Sequence, residues 1–233
     1  MIAPTGHVVV VSPHLDDAVL SLGAAIAQAV RAGAQVEVLT VFAGDPDSTT
    51  PAGRWDAWAR FGTEGAASRA LREEDRKACA IIGATPVWLR FGDKQYGRNR
   101  DEAAVYDAVL AALDGRDAVL LPGYPLAHGD HRFLSELLVR RGIPYRHVGL
   151  YMEQPYAVAA GGEQAAPEIP ACLRDLLPMS PSFEPVRTGA RDRVAKWRAL
   201  RKYRSQLPLL KSVVRSRTRV RAGHESVAWL PGR

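Results

Sequence analysis

The chain has 233 residues, is 47% hydrophobic and 24% charged, and carries a formal net charge of +6 at pH 7. This composition is ordinary for a globular protein with one large core. No apolar run reaches ~18 residues, so we expect no membrane span and no membrane partner. The first residues lack the pattern of a signal peptide. Two cysteines, Cys79 and Cys172, do not make a disulfide framework, and we expect a cytoplasmic protein.

Short apolar runs rich in β-branched residues alternate with helical stretches through the first 150 residues. The predicted strands are 7–12, 36–43, 87–91, 118–122 and 147–151. Runs that are apolar throughout are typical of strands covered on both faces. The predicted helices are 17–32, 64–82, 101–113 and 131–141. This alternation predicts an α/β fold with a Rossmann-like, mostly parallel sheet and helices on both faces.

We predict one domain over residues 1–233, with an α/β core (1–150), an irregular segment (151–186) and a basic helical extension (187–233). Residues 187–221 hold 13 Lys and Arg and one acid, Asp192, whereas residues 1–186 hold 17 basic and 23 acidic residues. The extension is interpreted either as a solvated helix that packs on the acidic body or as a surface for an anionic partner. Only two aromatic residues lie within 187–221, so we do not expect nucleic acid to be that partner.

Two stretches are predicted to be long loops. Residues 44–62 follow the second strand and carry Trp55 and Trp58, so we expect this loop to contribute to a binding site. Residues 157–185 are rich in Pro, Gly and Ala, and a surface excursion without a function explains them equally well.

The first strand is followed at once by Ser-Pro-His-Leu-Asp-Asp, residues 12–17. In a parallel sheet, ligands bind outside the carboxyl ends of the strands. If Asp17 lies in the first helical turn, its carboxylate approaches His14 at an i, i+3 spacing. A plain helix cap is the alternative for Asp16 or Asp17, but a cap needs neither a second aspartate nor a histidine. No G-x-G-x-x-G or P-loop pattern follows, so a nucleotide site is not predicted.

A second polar motif, His128-Gly-Asp130-His131, follows the fourth strand. Histidine and carboxylate are usual zinc ligands, and a catalytic zinc takes three protein ligands and leaves a position for water. His14, Asp17 and His131 can supply such a set, with Asp16 and His128 close by. These groups suit hydrolysis of an amide, which needs a water, a base and a donor to the oxyanion.

The pattern P-H-x-D-D after the first strand, with a later H-x-x-H, resembles the LmbE/PIG-L-like family of zinc-dependent N-deacetylases. Four further stretches also resemble this family: "REEDRKACAIIGA" (72–84), "RFGDKQYGR" (90–98), "EQPYA" (153–157) and "KWRALRKYRSQL" (196–207). Together these stretches extend the resemblance over most of the chain.

The resemblance implies a role for each matching residue. The metal ligands would be His14, Asp17 and His131. Asp16 would be the general base, His128 would stabilise the tetrahedral intermediate, and Asp130 would orient a histidine. The implied substrate contacts are Asp93, which would bind sugar hydroxyls, and an arginine on the predicted helix 64–82. The family position for that arginine is Leu71 here, so Arg69 or Arg72 is expected to substitute, with Trp55 and Trp58 nearby.

The resemblance therefore implies a Zn2+-dependent hydrolase that removes an N-acyl group, most often acetyl, from an amino sugar or glycoconjugate. Fe2+ and other divalent ions also suit two histidines and a carboxylate. One alternative is an amidase acting on a thiol–sugar conjugate or another bulky amide. Another is a non-catalytic α/β module whose basic tail binds nucleic acid. A homo-oligomer is compatible with the sequence.

Overall fold

The computed structural model describes residues 2, 6–96, 101–145, 147–159, 169–177, 182–209 and 225–231. Within these residues one seven-stranded sheet is formed by β1 (His7–Ser12), β2 (Gln35–Thr40), β3 (Thr85–Trp88), β4 (Ala118–Tyr124), β5 (His147–Met152), β6 (Glu184–Pro185) and β7 (Ser226–Trp229). The strand order is β3-β2-β1-β4-β5-β7-β6. The first five strands are parallel, whereas β7 runs antiparallel to both β5 and β6.

Helices cover both faces of the sheet, as predicted. They are α1 (Asp17–Arg31), α2 (Arg54–Trp58), α3 (Glu64–Ile82), α4 (Glu102–Leu113), α5 (Gly129–Arg141), α6 (Tyr156–Ala159), α7 (Ala171–Arg174) and α8 (Ala190–Leu200). In β1, Val8 and Val10 enter the core beneath α1, α3 and α8, whereas Val9 and Val11 enter the core beneath α4, α5 and α7. This burial on both sides explains why β1 is apolar throughout.

The direction of sheet growth reverses between β1 and β4. From β1 the chain adds β2 and β3 on one side, and later adds β4 and β5 on the other. Ligands of open α/β sheets bind at such a reversal, outside the carboxyl ends of the two strands. The residues that follow β1 and β4 are therefore brought to one crevice.

The C-terminal extension begins with a helix, as predicted, and ends as a strand. α8 accounts for residues 190–200, and residues 210–224 lie outside the described part of the chain. Val227 and Ala228 are buried in β7, which pairs with Leu150 and Tyr151 of β5. β7 forms here instead of a helix because its backbone groups pair with the edge of β5.

A buried ion pair attaches the extension to the core. The Nζ of Lys196 in α8 lies 2.6 Å from Oε1 of Glu225, and both side chains are buried. Glu225 also accepts the backbone N–H groups of Ala24 (3.0 Å) and Ala25 (2.6 Å) in α1. A Cβ on Gly23 would lie 2.9 Å from Lys196 Cγ, so glycine permits the close approach of α8 to α1.

Among the described helices, none combines the length and apolarity needed to cross a bilayer.

We predict that Lys196→Met lowers the free energy of unfolding by about 3–5 kcal/mol, because it leaves the Glu225 carboxylate buried without its cation. Chemical denaturation measures this loss. The control is Glu102→Gln, which breaks the exposed pair between Glu102 and Arg140 and should cost below about 1 kcal/mol. Equal losses in the two variants would contradict a stabilising role for the buried pair.

Candidate active site

The loop between β1 and α1 leaves the side chains of Asp16 and Asp17 free from capping α1, so both can face the crevice. Ser12 Oγ accepts the N–H of Ala18 (3.1 Å) and donates to the carbonyl of His14 (2.6 Å), so Ser12 caps the helix. Asp16 occupies the N-cap position, but its side chain makes no capping hydrogen bond. Asp17 Oδ2 accepts the N–H of His14 at 2.9 Å, which turns this carboxylate back toward the loop. The plain-cap alternative therefore accounts for neither aspartate.

Three side-chain atoms from the two polar motifs form a compact triangle. His14 Nδ1 lies 3.2 Å from Asp17 Oδ2 and 3.1 Å from His131 Nε2, and Asp17 Oδ2 lies 3.1 Å from His131 Nε2. Tetrahedral zinc, with bonds of about 2.0–2.1 Å, separates its ligand atoms by roughly 3.3 Å. The three atoms therefore fit one face of a metal coordination tetrahedron.

Each of the two histidines is held from behind by a buried carboxylate. Asp130 Oδ2 lies 3.0 Å from His14 Nε2 and also accepts the N–H of Lys94 at 3.0 Å. Glu153 hydrogen-bonds His131 Nδ1, and its other oxygen accepts the N–H of Leu126 at 2.8 Å. In the neutral form of each ring, the carboxylate holds the proton on the outer nitrogen, so the lone pair of the inner nitrogen is directed into the triangle. This arrangement is usual behind metal-binding histidines.

The site holds neighbouring groups in different charge states. Burial and the adjacent Asp17 raise the pKa of Asp16 to about 7. Burial opposes the charge of Asp17, yet His131 and His14 hold its pKa well below the usual value. Burial, together with His14 and His131, lowers the pKa of His128 to about 4. Two adjacent aspartates with such different proton affinities are suited to different tasks.

His128 is the N-cap of α5 and is therefore fixed in orientation. Its Nδ1 accepts the N–H of Asp130 at 3.3 Å, so the neutral ring carries its proton on Nε2. The ring lies edge-on to His14, with 5.0 Å between the centroids. His128 can thus donate a hydrogen bond beside the triangle.

A cavity of about 780 Å³ opens onto these groups. Its lining includes Asp16, His128, Asp93, Arg54, Trp55 and Gln206. Of the predicted substrate contacts, Asp93 and Trp55 reach the cavity. Leu71, which stands where the family often has an arginine, also lines it.

Three predicted substrate contacts lie outside the cavity lining. Arg72 Nη2 donates to the carbonyls of Gly44 (2.7 Å) and Leu89 (3.2 Å), and Arg69 donates to the carbonyl of Pro46. α3 directs both arginines to loop backbone, where they hold the segment that follows β2. Trp58 is 50% exposed on the outer side of α2.

Several cavity and support residues were not predicted from the sequence. Glu153 directly follows β5, so the rule that singled out the ends of β1 and β4 could have identified it. Arg54 lies in the long loop that was predicted to be functional. Gln206 lies in the extension and carried no signal of its own.

Gln95 holds α2 against the substrate side of the cavity. Its Oε1 accepts the N–H groups of Trp55 (2.9 Å) and Asp56 (3.2 Å), and its Nε2 donates to Asp56 (3.2 Å) and Asp93 (3.0 Å). A Cβ on Gly53 would lie 2.5 Å from Gln95 Oε1, so this approach requires glycine. One side chain thus positions both α2 and Asp93.

We predict that Gln95→Leu lowers the free energy of unfolding by about 1–3 kcal/mol, because the buried Asp56 carboxylate loses a donor and two N–H groups of α2 lose their acceptor. Thermal or chemical denaturation checks this value. The matched control is Gln35→Leu at an exposed position of β2, which should change stability by less than about 0.5 kcal/mol. A loss no larger than that of the control would refute the proposed role of Gln95.

Known structures share this fold over nearly the whole chain. The deacetylase Dbv21, which acts on the A40926 pseudoaglycone, is 26% identical with a TM-score of 0.71, and the match covers 98% of this chain and 97% of that one. A triple mutant of the teicoplanin-pathway deacetylase Orf2 is 26% identical with a TM-score of 0.73, covering 96% and 97%. N,N'-diacetylchitobiose deacetylase from Pyrococcus horikoshii shares the fold at 15% identity, with a TM-score of 0.60 and coverage of 97% and 84%. No curated protein matches the chain.

The sequence model of the GlcNAc-PI de-N-acetylase family, PIG-L, matches residues 9–141, which run from β1 to the end of α5 and contain both polar motifs. The match spans more than half of the chain and includes the crevice where the two motifs meet. On this match and on the shared fold, the chain belongs to the PIG-L family.

Proposed function

We propose that this protein is a metal-dependent hydrolase that removes an N-acyl group, most often acetyl, from an amino sugar or glycoconjugate. The observation that carries the proposal is the triangle of His14 Nδ1, Asp17 Oδ2 and His131 Nε2 beside Asp16 at the floor of a large cavity. Family membership and the deacetylase relatives that exceed 25% identity support the same chemistry.

His14, Asp17 and His131 would hold a divalent ion, with zinc expected and iron(II) also suited to these donors. When bound, such an ion supplies Lewis acidity toward a water and toward the amide oxygen. Asp130 and Glu153 keep the two imidazoles in the orientation and protonation state that this task needs.

The protein groups around the triangle divide the proton transfers. Asp16, as general base, accepts a proton from the attacking water at its carboxylate. His128 donates a hydrogen bond from Nε2–H to the amide oxygen, which gains negative charge during the attack. When the C–N bond breaks, Asp16 or His128 returns a proton to the amine nitrogen. The products are a carboxylate and a primary amine, so the reaction consumes one water.

The cavity lining suits a sugar-containing substrate. Asp93 offers carboxylate oxygens to hydroxyl groups, and Gln95 holds both of these oxygens in place at 3.0 Å. The indole of Trp55 provides an apolar surface for a sugar ring, and Arg54 adds a cation at the cavity wall. The volume of about 780 Å³ is in the range that encloses drug-sized ligands, so it accommodates an amino sugar with an attached group.

The direct test is a screen of the metal-loaded enzyme on N-acetyl amino sugars, glycoconjugates and bulkier sugar amides, with released primary amine as the readout. We expect release from at least one N-acetyl amino sugar or glycoconjugate and none after the metal is chelated. Release only from the bulkier sugar amides would favour the amidase alternative, and no release from any substrate would contradict the proposed reaction.

Substitutions of the two adjacent aspartates should differ in their effects on metal binding and on activity. Asp16→Asn removes the base but no metal ligand, so we expect full metal content and an activity lower by about 10²-fold or more. Asp17→Asn removes a ligand, so we expect weaker metal binding. Elemental analysis and amine release at saturating metal measure the two effects. If the metal loss instead followed Asp16→Asn, the assigned roles would be reversed.

Asp93 should contribute to turnover of a sugar substrate and not to metal binding. We predict that Asp93→Ala lowers kcat/KM on an N-acetylglucosamine-containing substrate by roughly tenfold or more, since a lost hydrogen bond to a charged group costs about 1.5–3 kcal/mol. Metal content should stay unchanged, and acetyl-lysine peptides should be poor substrates of the parent enzyme. Preferred turnover of such peptides, or sugar turnover that ignores Asp93→Ala, would exclude the amino-sugar specificity.

A further inference from the structure

The outward face of α8 combines positive charge with exposed apolar groups. Val194, Trp197, Arg198 and Arg201 recur at i, i+3, i+4 and i+7 and so share one face of the helix. Val194 is 47% exposed and Trp197 is 54% exposed, and both arginines are exposed. The opposite face is buried through Asp192, Lys196, Ala199 and Leu200. The exposed side chains are therefore not the ones that pack α8 against the rest of the protein.

The segment that carries this face is strongly basic. Further exposed basic residues flank it at Arg187, Arg191, Arg193, Lys202 and Arg204. Asp192, the one acid between residues 187 and 209, is buried and paired with Arg31 at 2.8 Å on the inner side of α8. The segment therefore presents an excess of basic over acidic side chains to solvent.

A second pair of the same kind lies beside the cavity. Gln206, two residues after Arg204, lines the cavity and accepts the indole N–H of Trp55 at 2.7 Å. The ring of Trp55 lies 6.0 Å from that of Trp58, which is 50% exposed. The guanidinium of Arg54 lies 4.6 Å from the Trp58 ring centroid, and that of Arg201 lies 4.7 Å from the Trp197 ring centroid. Trp58 and Trp197 therefore each carry an arginine on one ring face.

We propose that these groups form a docking surface for a membrane rich in anionic phospholipids. The basic aromatic surface consists of Val194, Trp197 and Arg198 of α8, the C-cap Arg201, and Arg54 and Trp58 of α2. Indole rings favour the headgroup layer of a bilayer, and arginines beside them meet lipid phosphates. Docking of this kind needs no membrane span, and it replaces the expectation of no membrane partner, which rested only on the lack of a long apolar run. It would place the cavity mouth close to the lipid headgroups.

The composition of the surface favours lipid over nucleic acid. Of the two aromatic residues between 187 and 221, Tyr203 is buried and Trp197 already carries a guanidinium on one ring face, so the extension offers few platforms for base stacking. Exposed Val194 contributes nothing to phosphate binding but can be buried among headgroups. The inference does not depend on the proposed reaction, although Arg54 belongs both to this surface and to the cavity wall.

The test is sedimentation of the full-length protein with vesicles of phosphatidylcholine alone and of phosphatidylcholine mixed equally with phosphatidylglycerol. We expect binding to the mixed vesicles only, weakening as salt rises because the attraction is screened. The double variant Arg198→Glu and Arg201→Glu should bind at least about tenfold more weakly, since each basic residue near an anionic bilayer contributes roughly fivefold. Trp197→Ser should also weaken binding.

The matched control is Arg140→Glu with Arg141→Glu on α5, across the sheet, which makes the same change in net charge. We expect this control to bind mixed vesicles like the parent protein, and circular dichroism and metal content to be equal in both double variants. Absence of binding to mixed vesicles, or equal losses in the two double variants, would overturn the proposal. Salt-sensitive binding to duplex DNA without vesicle binding would overturn it in favour of a nucleic-acid surface.

Discussion

The site depends on the adjacency of β1 and β4 at the point where the sheet changes its direction of growth. A parallel pair at such a point leaves its carboxyl ends uncovered by a crossing connection. Residues 14–17 and 128–131, which are far apart in the chain, meet there with three ligand atoms within 3.2 Å of one another. The rest of the site, including the cavity, the supporting carboxylates and the long loop after β2, is arranged around this meeting point.

Four carboxylates lie around two histidines in a buried crevice, where their negative charges repel one another. Neighbouring hydrogen-bond donors offset most of this repulsion. Asp130 and Glu153 are satisfied by the outer nitrogens of the histidines and by backbone N–H groups. Asp17 shares the inner side with both rings. The side chain of Asp16, at the N-cap of α1, makes no capping hydrogen bond, and burial beside Asp17 raises its pKa to about 7. A cation in the triangle would complete the balance and favour the charged form of Asp16.

Much of the fold and the centre of the site could be predicted because their signals are local. Unbroken β-branched runs predicted the five parallel strands, and the spacing of His14 to Asp17 and of His128 to His131 marked both motifs. The pairing of β7 with β5 was not predictable, because it depends on contacts between distant segments. Arg69 and Arg72 were expected at the substrate, but the direction of a helical side chain depends on what packs against it, and here loop carbonyls do. Gln95 and Gln206 act through the same kind of distant contact.

The most direct test of the central claim is X-ray absorption at the zinc edge of the metal-loaded protein, compared with the same measurement on His131→Ala. The account predicts one zinc per chain with two imidazole nitrogens and oxygen ligands at about 2.0–2.1 Å, and loss of one imidazole in the variant. A sulfur shell at about 2.3 Å, or an unchanged imidazole number in His131→Ala, would contradict the claim that His14, Asp17 and His131 hold the metal.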